Sequence, residues 1–173
     1  MPELISILDQ DTIARKVADV AQKISKDYQN GELVIVGVLK GALVFMADLI
    51  RQLTLKCVTI DFVRISSYGN ASDSSGEVKI LYDLETDIQD KDILIVDDIL
   101  DTGLTLAHLI QYLQKRQPRS IKICTLIDKF ERRQNDIKPD YVCHKIDQGF
   151  LVGYGLDYAE AYRNLPGLFT LKL

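Results

Sequence analysis

Cysteine and histidine are scarce in this chain, three of the first and two of the second in 173 residues. Cys57, Cys124 and Cys143 stand far apart in apolar stretches, with neither a zinc spacing nor a redox pair. They read as small buried hydrophobes of a protein kept in a reducing compartment. His108 and His144 are isolated from one another, so a two-histidine metal site has no support. An excess of positive charge is also missing. Lys and Arg number 21 against 25 Asp and Glu, a net charge of −4, and composition gives nucleic-acid binding no support. No apolar run approaches the ~20 residues that a membrane helix needs. The opening Met1-Pro2-Glu3-Leu4 lacks the basic-then-apolar pattern of a secretory signal, and a cytoplasmic location is expected.

What is there is a globular balance, 47% apolar and 27% charged. The length suits a single domain spanning 1–173 with a substantial core. Neither a Pro/Gly/Ser linker nor an internal repeat divides it. Asp11 or Thr12 is expected to cap a first helix, in which Ile13, Val17, Val20 and Ile24 recur at helical spacing up to Asn30-Gly31. Leu33 to Val38 reads as an interior parallel strand and Ala42 to Leu53 as a covered helix. Strands are expected over 57–65, 78–82, 93–96 and 121–127, with a helix from about Leu104 to Lys115. Residues 141–143 and 151–152 are short strand candidates. Strands alternating with helices predict an α/β fold, a mainly parallel central sheet flanked by helices.

The most informative stretch is Ile93 to Leu106, I-L-I-V-D-D-I-L-D-T-G-L-T-L. An apolar strand runs into Asp97-Asp98. Asp101, Thr102, Gly103, Leu104 and Thr105 then open a helix. A helix N-terminus offers free N–H groups and partial positive charge to a phosphate. Gly103 permits close backbone approach, and Thr102 and Thr105 add hydroxyls. The carboxylates of Asp97 and Asp98 repel phosphate, so their fitting partners are a sugar diol or a divalent metal. Capping alone would need one acid here, not three in nine residues.

Other positions are weaker when taken singly. Lys40 and Gly41 sit in a strand-to-helix turn, where open α/β sheets bind ligands, though Lys-Gly is also ordinary punctuation. Lys129 follows a strand and is expected to point toward the crevice of Asp97 and Asp101; the alternative is a solvated lysine in K-F-E-R-R. Phe150 can stack on a planar base or fill a core. Asp157 and Arg163 look like surface charges. Ser66 to Glu77 holds five serines and two glycines, a long connection of the kind that often acts as a lid.

The 96–105 run resembles the phosphoribosyl-diphosphate-binding motif of the type I phosphoribosyltransferases. With L-K-G-A at 39–42, S-S-Y-G at 66–69, Lys129, F-L-V-G-Y-G-L-D-Y at 150–158 and Arg163, the chain resembles the hypoxanthine-guanine subgroup from about residue 33 to 163. The resemblance implies a Mg²⁺-dependent enzyme of purine salvage, with a small hood formed by terminal segments. It implies that Lys40, Gly41 and Arg163 bind pyrophosphate, with a cis bond after Leu39. Ser67 and Tyr68 head a mobile active-site loop, 66–77. Asp97 and Asp98 hold ribose hydroxyls and metal, and Asp157 a second Mg²⁺. Asp101 exchanges the proton at purine N7, and Asp101 through Thr105 cradle the 5′-phosphate. Lys129 meets the 6-oxo group, Phe150 stacks on the ring, and Leu151 meets the base edge by its backbone. Members of this group usually associate, so a homo-oligomer, dimer or tetramer, is expected, with small-molecule substrates and neither nucleic acid nor membrane as partner. One departure is that the family often has Glu where Asp97 stands.

Three rivals stay open at this level. A sister transferase for xanthine or a pyrimidine shares the 97–105 segment. A non-catalytic regulator could sense phosphoribosyl diphosphate on the same fold. A phosphoacceptor receiver domain also gathers acids, Thr and Lys at strand ends, but its acidic pair follows the first strand, and here it follows a middle one.

Overall fold

The computed structural model describes residues 3–67 and 78–172. In chain order the elements are β1 (Glu3–Leu8), α1 (Gln10–Asp27), β2 (Leu33–Leu39), α2 (Leu43–Gln52), β3 (Val58–Ser67), β4 (Val78–Tyr82), β5 (Asp92–Leu100), α3 (Leu104–Gln114), β6 (Ser120–Lys129), β7 (Tyr141–Ile146), β8 (Leu151–Val152) and β9 (Leu168–Lys172). Six strands form one sheet in the order β4-β3-β2-β5-β6-β7, parallel throughout except for the antiparallel edge strand β4. This is the mainly parallel α/β sheet that alternating strands and helices predict.

The interior strands are apolar without interruption because both faces are covered. In β2, Leu33 and Ile35 enter one core with α1 (Ile13, Val17, Val20, Ile24) and α2 (Phe45, Leu49). Val34, Val36 and Val38 enter the other, with Leu106, Leu109 and Leu113 of α3. One strand therefore serves two cores by its period of two.

Two strands escaped the sequence reading. β1 and β9 pair antiparallel, and β8 adds to β9, giving a separate three-stranded sheet in the order β1-β9-β8. The two chain ends, from Glu3↔Lys172 to Leu8↔Leu168, make this hood, which the resemblance implied but no local pattern announces. Leu168 and Leu151 carry its apolar face into the α1–α2 core.

Several local expectations change. Asp9, not Asp11 or Thr12, caps α1, accepting the Thr12 N–H at 2.7 Å. Cys57 is exposed beside the start of β3, whereas Cys124 and Cys143 are buried as expected. Ser66 and Ser67 belong to β3, which shortens the expected 66–77 connection. Tyr68 and the remainder of that connection lie outside the described residues.

Candidate active site

β2, β5 and β6 end at the same edge of the sheet, and chain progression reverses between β2 and β5. Such a switch point opens a crevice at strand C-termini. The pairing shows the opening. β2 and β5 part after Gly37↔Val96, while β5 stays with β6 through Asp97↔Thr125 to Leu100↔Asp128. Asp97 and Asp98 are thus inside the strand, not beyond its end as the sequence pattern implied. They stand where β2 has just left.

A cleft of about 260 Å³ lies at this point, lined by Gly41, Asp97, Asp98, Asp101, Gly103 and Thr105 among others. Asp97 accepts the Asp98 N–H at 2.9 Å, and Asp98 accepts the Ile99 N–H at 2.8 Å. Burial, and next to it the Asp98 charge, pushes the Asp97 carboxyl well above the usual range. Burial also pushes Asp98 upward, against relief from hydrogen bonds and the Arg163 guanidinium. An acid pair held this way, Asp97 buried and Asp98 half-buried, favours a cation or hydroxyl donors beside it. Among the described residues no three His, Cys, Asp or Glu side chains converge on one metal position. Asp157, expected to share metal duty, is engaged elsewhere. Its Oδ1 meets Arg163 at 2.8 Å, and its Oδ2 accepts the Glu160 N–H at 2.8 Å. A hard cation that keeps waters and substrate oxygens in its shell needs only one or two protein carboxylates, so the Asp97–Asp98 pair fits magnesium better than a full protein cage would.

The phosphate side is built from glycine and an open helix end. Gly103, not Asp101, occupies the N-cap of α3, at φ 82°, and no side chain caps the helix. A Cβ at Gly103 would come within 2.2 Å of Asn135 Oδ1, so both conformation and space demand glycine. The first turn carries no acid, and the Leu104 N–H leans on Thr102 Oγ1 at 3.3 Å. Thr105 lines the cleft. Across it, a Cβ on Gly41 would fall 1.7 Å from Asp98 Oδ2. The Leu39–Lys40 peptide is cis, matching what the resemblance implies.

On the β6 side, Lys129 ends the strand with its side chain only 8% exposed, which overturns the solvated reading. Its Nζ is 3.8 Å from Asp101 Oδ2 and 3.4 Å from Glu131 Oε2. Arg132 also meets Asp101 Oδ2, at 3.2 Å. Asp101 Oδ1 is buried without a hydrogen-bond partner, an acceptor awaiting a donor. Phe150 is 48% exposed and T-shaped to Tyr158, centroids 5.6 Å apart, so its ring is presented to solvent rather than packed in the core. Leu151 is buried in the short hood strand. Lys40 and Arg163 share the carboxylate of Glu160, at 3.1 and 3.4 Å, so two cations expected to hold an anion already face one.

Sequence reasoning missed Arg133. Its guanidinium donates to the carbonyls of Asp101 (2.9 Å), Ile137 (2.8 Å), Leu100 (3.1 Å) and Lys129 (3.0 Å) and to the Asp128 carboxylate (2.6 Å). It locks the loop after β5 to the end of β6. In the run K-F-E-R-R nothing local separates Arg133 from Arg132, whose side chain is 63% exposed. A larger cleft, about 380 Å³, opens between α1, α2 and residues 163–166. Its acid, Asp48, is already held by Arg51 and by the Tyr154 hydroxyl at 2.5 Å, and no carboxylate pair lines it.

Comparison with known proteins bears on the same residues. The chain is 48% identical over 166 residues to a hypoxanthine-guanine phosphoribosyltransferase of Bacillus subtilis, covering 96% of this chain and 92% of that one. A Staphylococcus aureus protein of the same name is 46% identical over the same shares. In three dimensions the chain superposes on a Bacillus anthracis hypoxanthine-guanine phosphoribosyltransferase with a TM-score of 0.92, at 40% identity over 100% of both chains. It also superposes on a Staphylococcus aureus hypoxanthine phosphoribosyltransferase with a TM-score of 0.92, at 46% identity over 96% of this chain and 90% of that one. The pattern of the phosphoribosyl transferase domain spans residues 5–159, which take in the split between β2 and β5, the open helix end and Lys129, and the chain belongs to that family.

Proposed function

We propose that this enzyme transfers the 5-phosphoribosyl group of phosphoribosyl diphosphate to hypoxanthine or guanine, giving IMP or GMP and pyrophosphate. The observation that carries this reading is the acid-free, glycine-opened start of α3 beside buried Asp97 and half-buried Asp98, with Lys129 3.8 Å from Asp101. The names of the close relatives point the same way.

The 5′-phosphate sits on the N–H groups of Thr102 to Thr105, and Asp97 and Asp98 take the ribose hydroxyls. Lys40, Gly41 and Arg163 receive the pyrophosphate, displacing Glu160 from the two cations. Lys129 donates to the 6-oxo oxygen of the purine, Phe150 stacks on its ring, and the Leu151 backbone meets its edge. Asp101 Oδ1, free of other bonds, handles the proton at N7. Such general acid–base work contributes about 10²–10⁴-fold in rate. Magnesium held at Asp97 and Asp98, with a second ion at Asp157, would neutralise charge on the departing pyrophosphate. Residues 66–77, with Ser67 and Tyr68 at their head, take the closing role that the connection's length and the resemblance support; chain length supports a single domain, the isolated cysteines a reducing cytoplasm, and the resemblance a homo-oligomer.

The test is to incubate the protein with phosphoribosyl diphosphate, Mg²⁺ and each purine separately, and to follow pyrophosphate. Hypoxanthine and guanine should release it and adenine should not, because an ammonium donor faces adenine's amino donor. Asp101→Asn should lower turnover by about 10²–10⁴-fold while affinity for phosphoribosyl diphosphate holds. Absence of pyrophosphate with every 6-oxopurine would overturn the reading, and equal rates with adenine would remove Lys129 from base recognition.

A further inference from the structure

Lys129 stands between two acids. Asp101 lies 3.8 Å away and Glu131 3.4 Å away. The Glu131 oxygen that faces the ammonium, Oε2, also accepts the N–H of Gly149 at 3.3 Å. The Glu131 backbone N–H in turn donates to the Asp147 carbonyl at 3.1 Å. Gly149 precedes Phe150, whose carbonyl is held by the Leu171 N–H at 2.8 Å. One carboxylate therefore ties the end of β6 to the turn that presents the exposed aromatic ring.

We propose that Glu131 is a positioning residue for the purine subsite, holding the Lys129 ammonium off Asp101 and in register with the Gly149–Phe150 turn. This rests on the function proposed above. The physical reason is competition for one cation. Lys129 is nearly removed from water, so its ammonium must point at whatever acid is nearest. Without Glu131 that acid is Asp101, whose oxygens are needed for the purine proton. The ammonium then turns from the base, and the turn before Phe150 loses an acceptor. Glu131 is itself half-exposed, and Lys129 keeps Asp101 as a counter-charge when Glu131 is lost, so no buried charge is stranded and the effect belongs to binding geometry rather than to folding.

Glu131→Gln keeps an acceptor for Gly149 and removes the charge that holds Lys129. The expected result is a rise of about tenfold in KM for hypoxanthine, the equivalent of roughly 1.4 kcal/mol, with KM for phosphoribosyl diphosphate within about twofold and an unchanged melting temperature. Glu131→Asp should recover part of the loss. In a Lys129→Met background Glu131→Gln should add nothing, because the two act as a unit. An unchanged hypoxanthine KM, an equal rise for both substrates, or a full effect without Lys129 would each overturn the role given to Glu131. A wild-type protein that turns over neither purine would overturn the function itself and this role with it.

Discussion

Arg133 is the residue whose removal should cost most. Five hydrogen bonds of 2.6–3.1 Å use its guanidinium, and its side chain is 14% exposed. Its ionic partner, Asp128, is 3% exposed. Arg133→Met removes the cation and leaves Asp128 charged, buried and alone. Breaking a buried pair from one side costs about 3–5 kcal/mol. For a chain of this size each kcal/mol shifts the melting temperature by about 2–4 °C, so a fall of roughly 6–20 °C is expected. Adding Asp128→Asn should return at least half of it, since the stranded charge is gone. Below the melting temperature, kcat/KM should fall for both substrates, because Arg133 holds the carbonyls of Asp101 and Lys129 together. Thermal melting monitored by circular dichroism, combined with pyrophosphate release, measures both effects. A fall of under about 3 °C, or a double variant no more stable than Arg133→Met, would refute the argument.

Two further outcomes come from the carboxylate pair. Gly41→Ala should displace Asp98, because the new Cβ would lie 1.7 Å from its Oδ2. Overpacking of this kind costs about 1–3 kcal/mol, and activity should drop at least tenfold; a variant with wild-type kinetics would count against a role for Asp98. Asp97 is a carboxyl whose folded-state pKa is raised, chiefly by burial. Its native form thus binds the proton more readily than the unfolded chain does. Stability is lost as pH rises from the ordinary carboxylate value, about 3.9, through the raised one, and returns as pH falls. Asp97→Asn should therefore melt higher than wild type at pH 7, by about 2–4 °C per kcal/mol relieved, and the gap should close toward pH 3 and narrow with Mg²⁺. Activity should be lost throughout. Melting curves across pH check this, and an Asp97→Asn protein less stable at pH 7 would contradict it.

Much of the fold is written in local pattern. The run Leu33 to Val38 is apolar at every side-chain-bearing position because both faces are covered, and period two then sorts Leu33 and Ile35 from Val34 and Val36. Val78–Tyr82 and Leu151–Val152 have the bounds their residues imply. The extent of β5 was not legible. Asp97 and Asp98 look like a strand end, and only continued pairing with β6 keeps them in the sheet. The hood of terminal segments came from the resemblance alone; the β1–β9 pairing has no local signal, since its partners lie at opposite ends of the chain.

The residue types of the site are a local matter: an acid pair at a strand end, a glycine that opens a helix, a lysine after another strand. Their chemistry follows from charge, hydrogen-bonding capacity and backbone freedom, which belong to each residue wherever it lies. Which of them meet was decided by sheet order. Placing β6 beside β5 brings Lys129 to Asp101 and turns one arginine of K-F-E-R-R inward to bind five partners while its neighbour stays in solvent. Contacts across 28 residues depend on how strands stack, and stacking is settled by the burial of two whole cores rather than by any short run of letters.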